Sequence, residues 1–318
     1  MSDTSTPSHL DANALITVES LELRARLIIE GFMIGMHRSP YHGVSVEFAQ
    51  HRQYAAGDDL RHLDWKVFAR TDKLYLKQYQ KETNLNLVLV IDASGSMGYT
   101  SLPGGWRKYD YAASLAAALA YLALGQRDRV NLVLFADGIV SEMQQSSAGD
   151  HWRAILNALH VQSLVVSGRN GERVGDREGG TNLSRLFDQI AAKQSKRSLI
   201  VLISDLFDDS AALERGLARL YHQRHDVVIF QVVDHAEKTF EFRAPLRFMD
   251  LEGDGNINVD PAALRSAYLA TFERHCERVA NMARRFRFDH QVLDSSEPLG
   301  PGLAHFLARR SAQFTRSG

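Results

Sequence analysis

A single cysteine, Cys276, stands among 318 residues. No internal disulfide can form, which excludes both a cysteine-stapled secreted fold and a Cys-rich zinc site. An excess of charge of one sign is also missing. Thirty-seven Lys and Arg face 38 Asp and Glu, a formal net charge of −1, and that balance excludes a globally basic nucleic-acid binder. No long apolar run is present either. The most apolar early stretch, Leu15 to Met36, is interrupted by Glu19, Glu22, Arg24, Arg26 and Glu30, so it suits neither a membrane span nor a signal peptide. The expectation is a soluble, cytoplasmic chain without a membrane span. The sequence has no Gly-x-x-x-x-Gly-Lys-Ser/Thr loop, no His-Glu-x-x-His pair among its 13 histidines and no internal repeat, which removes P-loop nucleotide hydrolysis and one common zinc motif. What it does have is core material: 45% hydrophobic against 24% charged residues, enough for a folded chain of one or two domains.

Residues 1–14 are polar and read as a flexible N-terminus. From Leu15 the positions Leu15, Val18, Leu21, Leu23, Leu27 and Ile28 fall roughly on helical spacing. Val44 to Tyr54 alternates as a strand does and ends at the turn Ala56-Gly57-Asp58-Asp59. The 15–82 region reads as a small N-terminal α+β elaboration. At Leu85 the character changes. Residues 85–92, LNLVLVID, form a continuous apolar run, the pattern of a strand covered on both faces. Tyr109 to Gly125 is apolar almost all round and reads as a buried helix. Strands at Val130–Phe135, Leu199–Ile203, Val227–Val233 and Phe286–Leu293 alternate with helices at His151–His160, Leu183–Ala192, Ala211–His222, Pro261–Arg285 and Leu303–Arg310, and Ile139–Met143 is a short edge strand. Such alternation predicts an α/β fold for 83–318: a doubly wound, mostly parallel sheet with helices on both faces. Cys276 lies on the helical stripe Leu264, Tyr268, Phe272, Cys276, Val279 and Ala283, where packing rather than reactivity is expected.

Ligands of such sheets bind beyond the carboxyl ends of the strands. The strand at 85–91 ends on Asp92-Ala93-Ser94-Gly95-Ser96, and the strand at 199–203 ends on Ser204-Asp205. Gly179-Gly180-Thr181-Asn182 precedes the helix at 183. In Asp-x-Ser-x-Ser, alternate side chains of a near-extended segment share a direction, so Asp92, Ser94 and Ser96 can face one point. Oxygen donors without imidazole or thiolate suit a hard cation, Mg²⁺ or Mn²⁺. Two carboxylates, Asp92 and Asp205, roughly neutralise such an ion, while the hydroxyls leave it able to accept a further anionic oxygen. The same tripeptide spacing also serves as turn and helix-cap chemistry.

Taken together, Asp92, Ser94, Ser96, Thr181 and Asp205 resemble the metal-ion-dependent adhesion site of von Willebrand factor type A domains, over roughly residues 83 to 310. The resemblance implies that Ser94, Ser96 and Thr181 bind Mg²⁺ directly and that Asp92 and Asp205 bind it directly or through water. It also implies a sheet edged by one antiparallel strand. Met97, Asn182 and Asp208 are candidates for the rim, and movement of the last helix is a candidate gate. Residues 43 to 82 carry Gly43, Glu47-Phe48, Arg52, Tyr54, Gly57-Asp58-Asp59, Arg61, Asp64-Trp65, Ala69-Arg70, Lys77 and Glu82. This pattern is similar to the signature of the bacterial domain-of-unknown-function 58 family, which lies just ahead of an A-like domain. The resemblance implies work with a MoxR-type AAA+ ATPase in the assembly or maturation of protein complexes, through a partner that presents Asp or Glu. For the signature itself a structural role is the first reading and partner binding the second.

The rival reading is an enzyme, a Mg²⁺-dependent phosphohydrolase with Asp92 as nucleophile. Val201 to Asp209 resembles the later acidic motif of haloacid-dehalogenase-like phosphatases, with Asp205 and Asp209 four apart. Those enzymes need a second carboxylate two residues after the nucleophile as a proton shuttle, and Ser94 stands there. The run Asp254 to Asp260 is a poor calcium loop, with Val259 in place of the sixth-position glycine. A polar turn leading into a helix at Asp260-Pro261 explains it better.

Overall fold

The computed structural model describes residues 20–38, 51–53, 70, 75–77, 85–102, 105–167, 183–194, 196–207, 210–242, 246–249, 256–300 and 302–307. The chain divides into a large unit, Met1–Arg38 with Leu85–Gly318, and a small unit, Ser39–Asn84. The large unit begins with helix α1 (Leu21–Arg38). In the small unit β1 (His51–Gln53) pairs antiparallel with β2 (Tyr75–Lys77), Arg52 opposite Leu76. The rest of the 43–82 signature lies outside the described residues, Lys77 and Arg70 apart.

The large unit continues with β3 (Asn86–Asp92), α2 (Lys108–Gly125), β4 (Arg129–Phe135), β5 (Ile139–Ser146), α3 (His151–Val166) and α4 (Leu183–Lys193). Then follow β6 (Leu199–Ser204), α5 (Ser210–His222), β7 (Asp226–Val233), α6 (His235–Thr239), β8 (Leu246–Met249), β9 (Asn256–Val259), α7 (Pro261–Arg285) and β10 (Asp289–Asp294). Six strands form one sheet in the order β10-β7-β6-β3-β4-β5. All neighbours are parallel except β4 and β5. The chain therefore starts in the middle of the sheet, runs outward through β4 and β5, and returns across β3 to β6, β7 and β10. The direction reverses between β3 and β6, and the crevice at their carboxyl ends is the topological switch point. β8 and β9 form a separate antiparallel hairpin, where the sequence reading had a polar turn.

Burial follows the pleat. Leu87, Leu89 and Ile91 of β3 face a core shared with α1, α2, α3 and the helical segment 302–307, while Val88 and Val90 face α4, α5 and α7. β3 and β6 are buried at every position, and strands covered on both faces read as near-continuous apolar runs. Helix α2 has no polar face: Tyr109, Leu115, Leu119 and its alanines are buried, and Lys108 is buried with them. Ala25 and Ile28 of α1 are fully buried in the same core. The Arg24 and Arg26 guanidinium groups lie 5.6 Å from the Trp106 and Trp152 ring centres. The helix that the sequence reading grouped with 15–82 thus packs in the sheet unit. No described helix is long and apolar enough to cross a membrane.

Helix α7 has 25 residues, about 37 Å at a rise of ~1.5 Å, whereas strands of six to eight residues reach only about 20–27 Å. Its C-terminus feeds β10 at the amino edge of the sheet, so its N-terminal half overhangs the carboxyl edge. The stripe read from the sequence divides accordingly. Val279, Met282 and Ala283 are buried, but Leu264 is 40% exposed. Tyr268 meets Phe240, ring centres 4.4 Å apart, and Phe272 lies 6.1 Å from Phe207. Cys276 is half-buried, and burial pushes its thiol up, away from the reactive thiolate.

Candidate functional site

The site begins where β3 stops. Asp92, its last residue, is only 5% exposed. The next residues turn at once into a 3-10 helix, Gly95–Gly98. The backbone N–H of Ser94 donates to Asp92 Oδ1 at 2.9 Å, an Asx-type turn that bends the chain over the carboxylate. The hydroxyls of Ser94 and Ser96 then lie 3.1 Å apart. Two contacts fix this turn from behind. Met97, a rim candidate in the sequence, is fully buried and anchors the turn in the core. Gly98 packs so tightly on α3 that a Cβ there would stand 2.9 Å from the carbonyl oxygen of Val166.

The second side comes from the end of β6. Ser204 donates its hydroxyl to Asp92 Oδ2 at 2.5 Å and accepts from the N–H of Leu206 at 2.9 Å. Leu206 has φ of 58°, a left-handed conformation uncommon for a bulky side chain, and the chain turns there directly after Asp205. Asp205 Oδ1 accepts from the N–H of Phe207 at 3.3 Å. Asp205 Oδ2 accepts from Lys108 Nζ at 2.8 Å.

Lys108 has no exposed surface. Its ammonium also donates to Glu237 Oε1 at 2.7 Å and lies 5.4 Å from the Phe207 ring centre. Glu237 is held in turn. It sits in the capping box that starts α6, where its Oε2 accepts from the N–H of Asp234 at 2.8 Å and Asp234 Oδ1 accepts from Ala236 N–H at 2.8 Å. Asp234 Oδ2 accepts from the N–H of Ser101 at 3.0 Å. The loops after β3, β6 and β7 are thus tied together by buried, charge-assisted hydrogen bonds.

The charges are unevenly shared. Burial alone would push the Lys108 ammonium down, but Asp205 and Glu237 more than reverse this and hold it above the ordinary lysine value. Burial pushes Glu237 up, with Lys108 and its hydrogen bonds opposing. Asp92 is pushed up to about 7, by burial first and the neighbouring Asp205 charge second, against the hydrogen bonds from Ser204 and Ser94. Its donors are all neutral, and no Lys, Arg or His among the described residues pairs with it. A buried carboxylate in that position favours either a proton or a cation beside it.

Of the five residues singled out from the sequence, Asp92, Ser94 and Ser96 are brought together. Asp205 is adjacent, close enough to perturb Asp92, with one oxygen committed to Lys108. Thr181 lies outside the described residues, as do Asn182, Asp208 and Asp209. The donor set is oxygen alone and is short of positive charge, which fits a hard divalent cation. The sequence reading missed Lys108, Glu237 and the bridging role of Ser204. One signal was available: α2 is apolar nearly all round, so a lysine at its first position is a candidate for burial.

Carboxylates and hydroxyls thus gather at the switch point of an α/β fold with a six-stranded, mostly parallel sheet. The chain belongs to the DUF58 family, described as "Protein of unknown function DUF58", whose pattern matches residues 50–278. It is 24% identical to uncharacterized proteins of Mycobacterium bovis and Mycobacterium tuberculosis over 276 residues, 86% of this chain and 82% of theirs. Among solved structures it is similar to the conserved hypothetical protein BatB from Bacteroides thetaiotaomicron, with 13% identity, a TM-score of 0.46, and 73% of this chain and 99% of that one covered. It is also similar to an aerotolerance-related membrane protein from Bacteroides fragilis, with 15% identity, a TM-score of 0.41, and coverage of 70% and 97%.

Proposed function

We propose that this crevice is a metal-ion-dependent adhesion site in a von Willebrand factor A-like domain. Ser94, Ser96 and Thr181 would hold Mg²⁺ or Mn²⁺ directly, with Asp92 and Asp205 bound directly or through water. The ion would supply a Lewis-acidic position for one anionic oxygen from outside. That oxygen belongs to an Asp or Glu side chain of a partner protein, and the function is protein recognition rather than catalysis. The observation that carries this reading is Asp92: a buried carboxylate at the switch point, next to two convergent hydroxyls, with only neutral donors. Ser204 orients Asp92, and the Ser94 and Ser96 hydroxyls add ligands without adding charge, which leaves the ion electron-poor. From the family resemblance, the partner is a MoxR-type AAA+ ATPase or its client, in assembly or maturation of protein complexes.

The test is a pull-down of the co-encoded AAA+ ATPase by the full chain in Mg²⁺, repeated in EDTA and with Ser94→Ala. Capture that falls in both supports the reading. Capture indifferent to both removes the metal from the interface.

A further inference from the structure

Lys108 is the least expected residue of the crevice. A fully buried ion pair is a poor way to stabilise a core, because desolvation offsets most of the Coulombic gain and an apolar side chain of similar size does as well or better. Lys108 nevertheless stands at the start of an otherwise apolar helix and reaches two carboxylates on two other loops, at 2.8 and 2.7 Å. Its placement divides the acidic groups unequally. Asp205 and Glu237 share one ammonium, while Asp92 has none.

The two partners of the ammonium are not equivalent. Glu237 is fixed independently, through the N–H of Asp234 in the α6 capping box, and so remains in place for Lys108 whatever Asp205 does. The Asp205 carboxylate is otherwise held through one oxygen, by the N–H of Phe207 at 3.3 Å. Asp205 also adjoins Asp92: it directly follows Ser204, whose hydroxyl binds Asp92 Oδ2 at 2.5 Å. It can therefore answer to two counter-charges: the ammonium it binds and whatever cation Asp92, Ser94 and Ser96 hold.

We infer that Lys108 is a built-in counter-cation that competes with a divalent ion for Asp205. This rests on the reading of the crevice as a divalent-cation site. With Asp205 Oδ2 engaged by Lys108, the site offers one carboxylate free of any ammonium, Asp92, beside the two hydroxyls of the β3 turn. Affinity for hard cations follows the number of charged ligands, so the site is held weak. An ion that takes Asp205 through Oδ1 shares its charge with Lys108 and gains that carboxylate undivided only when Oδ2 leaves the ammonium, with Glu237 then retaining Lys108. The cation's arrival is thereby coupled to the loops after β6 and β7.

The experiment is a titration of Mn²⁺ alone into the full-length chain, read as the loss of the free-ion electron paramagnetic resonance signal. Wild type is compared with Lys108→Met, Asp205→Asn, the double variant and Asp92→Asn. Lys108→Met should tighten Mn²⁺ binding by about tenfold or more, because it frees a second charged ligand. Asp205→Asn should change the wild-type affinity much less than it changes that of the Lys108→Met chain, where it should erase the gain. If Lys108→Met does not fold, Lys108→Met with Glu237→Gln removes one of the orphaned buried charges, and the same comparison is made there. Equal affinity in wild type and Lys108→Met, with Asp205→Asn costing the same in both, overturns the competition and leaves the metal site standing. No Mn²⁺ uptake by any variant overturns the metal site itself.

Discussion

Ser204, the last residue of β6, donates its hydroxyl to Oδ2 of Asp92, the last residue of β3, at 2.5 Å. One bond thus joins the ends of the two strands between which the sheet reverses direction, and Ser204 also accepts from Leu206 N–H. Ser204→Ala removes both contacts and leaves a buried carboxylate oxygen without its donor. The expected loss is about 2 kcal/mol, measured as a lower urea midpoint at unchanged slope.

Gly216 sits in α5 against α4, where a Cβ would stand 2.1 Å from Cδ2 and 3.0 Å from Cβ of Phe187. Alanine is the better helix former by about 1 kcal/mol, yet Gly216→Ala should destabilise by about 1–3 kcal/mol, because Phe187 is fully buried and has little room to yield. Thermal unfolding decides the sign.

His290 on β10 is held neutral. Burial lowers it to about 4, with the nearby His275 and His305 adding to the effect, and its Nε2 bonds Gln231 Oε1 at 3.0 Å. In the unfolded chain the ring titrates near the ordinary 6.5. Between those values the unfolded state binds more protons, so this contribution is fully present above 6.5 and is lost as pH falls toward 4. His290→Gln should flatten the stability profile in that window without levelling it, because burial also lowers His275 and His225. Urea titrations across pH 4 to 7 check this.

A hydrolase reading makes a separate demand. The residue two after Asp92 is a serine whose hydroxyl faces Ser96, not a carboxylate able to shuttle a proton. Mg²⁺-dependent release of p-nitrophenol from its phosphate should stay at background. Turnover abolished by Asp92→Ala would instead favour the enzyme.

The strand pattern was legible because strands buried on both faces are mostly apolar: from Leu87 and from Leu199 the runs are unbroken until Asp92 and Ser204. That break, together with Asp-x-Ser-x-Ser, singled out the end of β3, where Asp92, Ser94 and Ser96 come together. Lys108 was not legible by the same means, since lysine is by default an exposed residue and its partners lie 97 and 129 positions away. Asp234-His-Ala-Glu237 carries the capping-box spacing, but nothing local says that the other Glu237 oxygen faces a lysine. Periodicity also placed the α7 stripe correctly without revealing where the sheet beneath it stops, which is why Leu264 is exposed. The hairpin of β8 and β9 has strands of only four residues, too short for alternation to register.

The decisive measurement is an anomalous difference map, at the manganese edge, from a crystal of the chain grown with Mn²⁺. A single strong peak should lie within coordination distance of the Ser94 and Ser96 hydroxyls, beside Asp92 and short of a full shell of protein ligands. A map with no peak there, or with the Asp92 carboxylate closed off by the protein's own donors alone, would refute the metal-bridged reading.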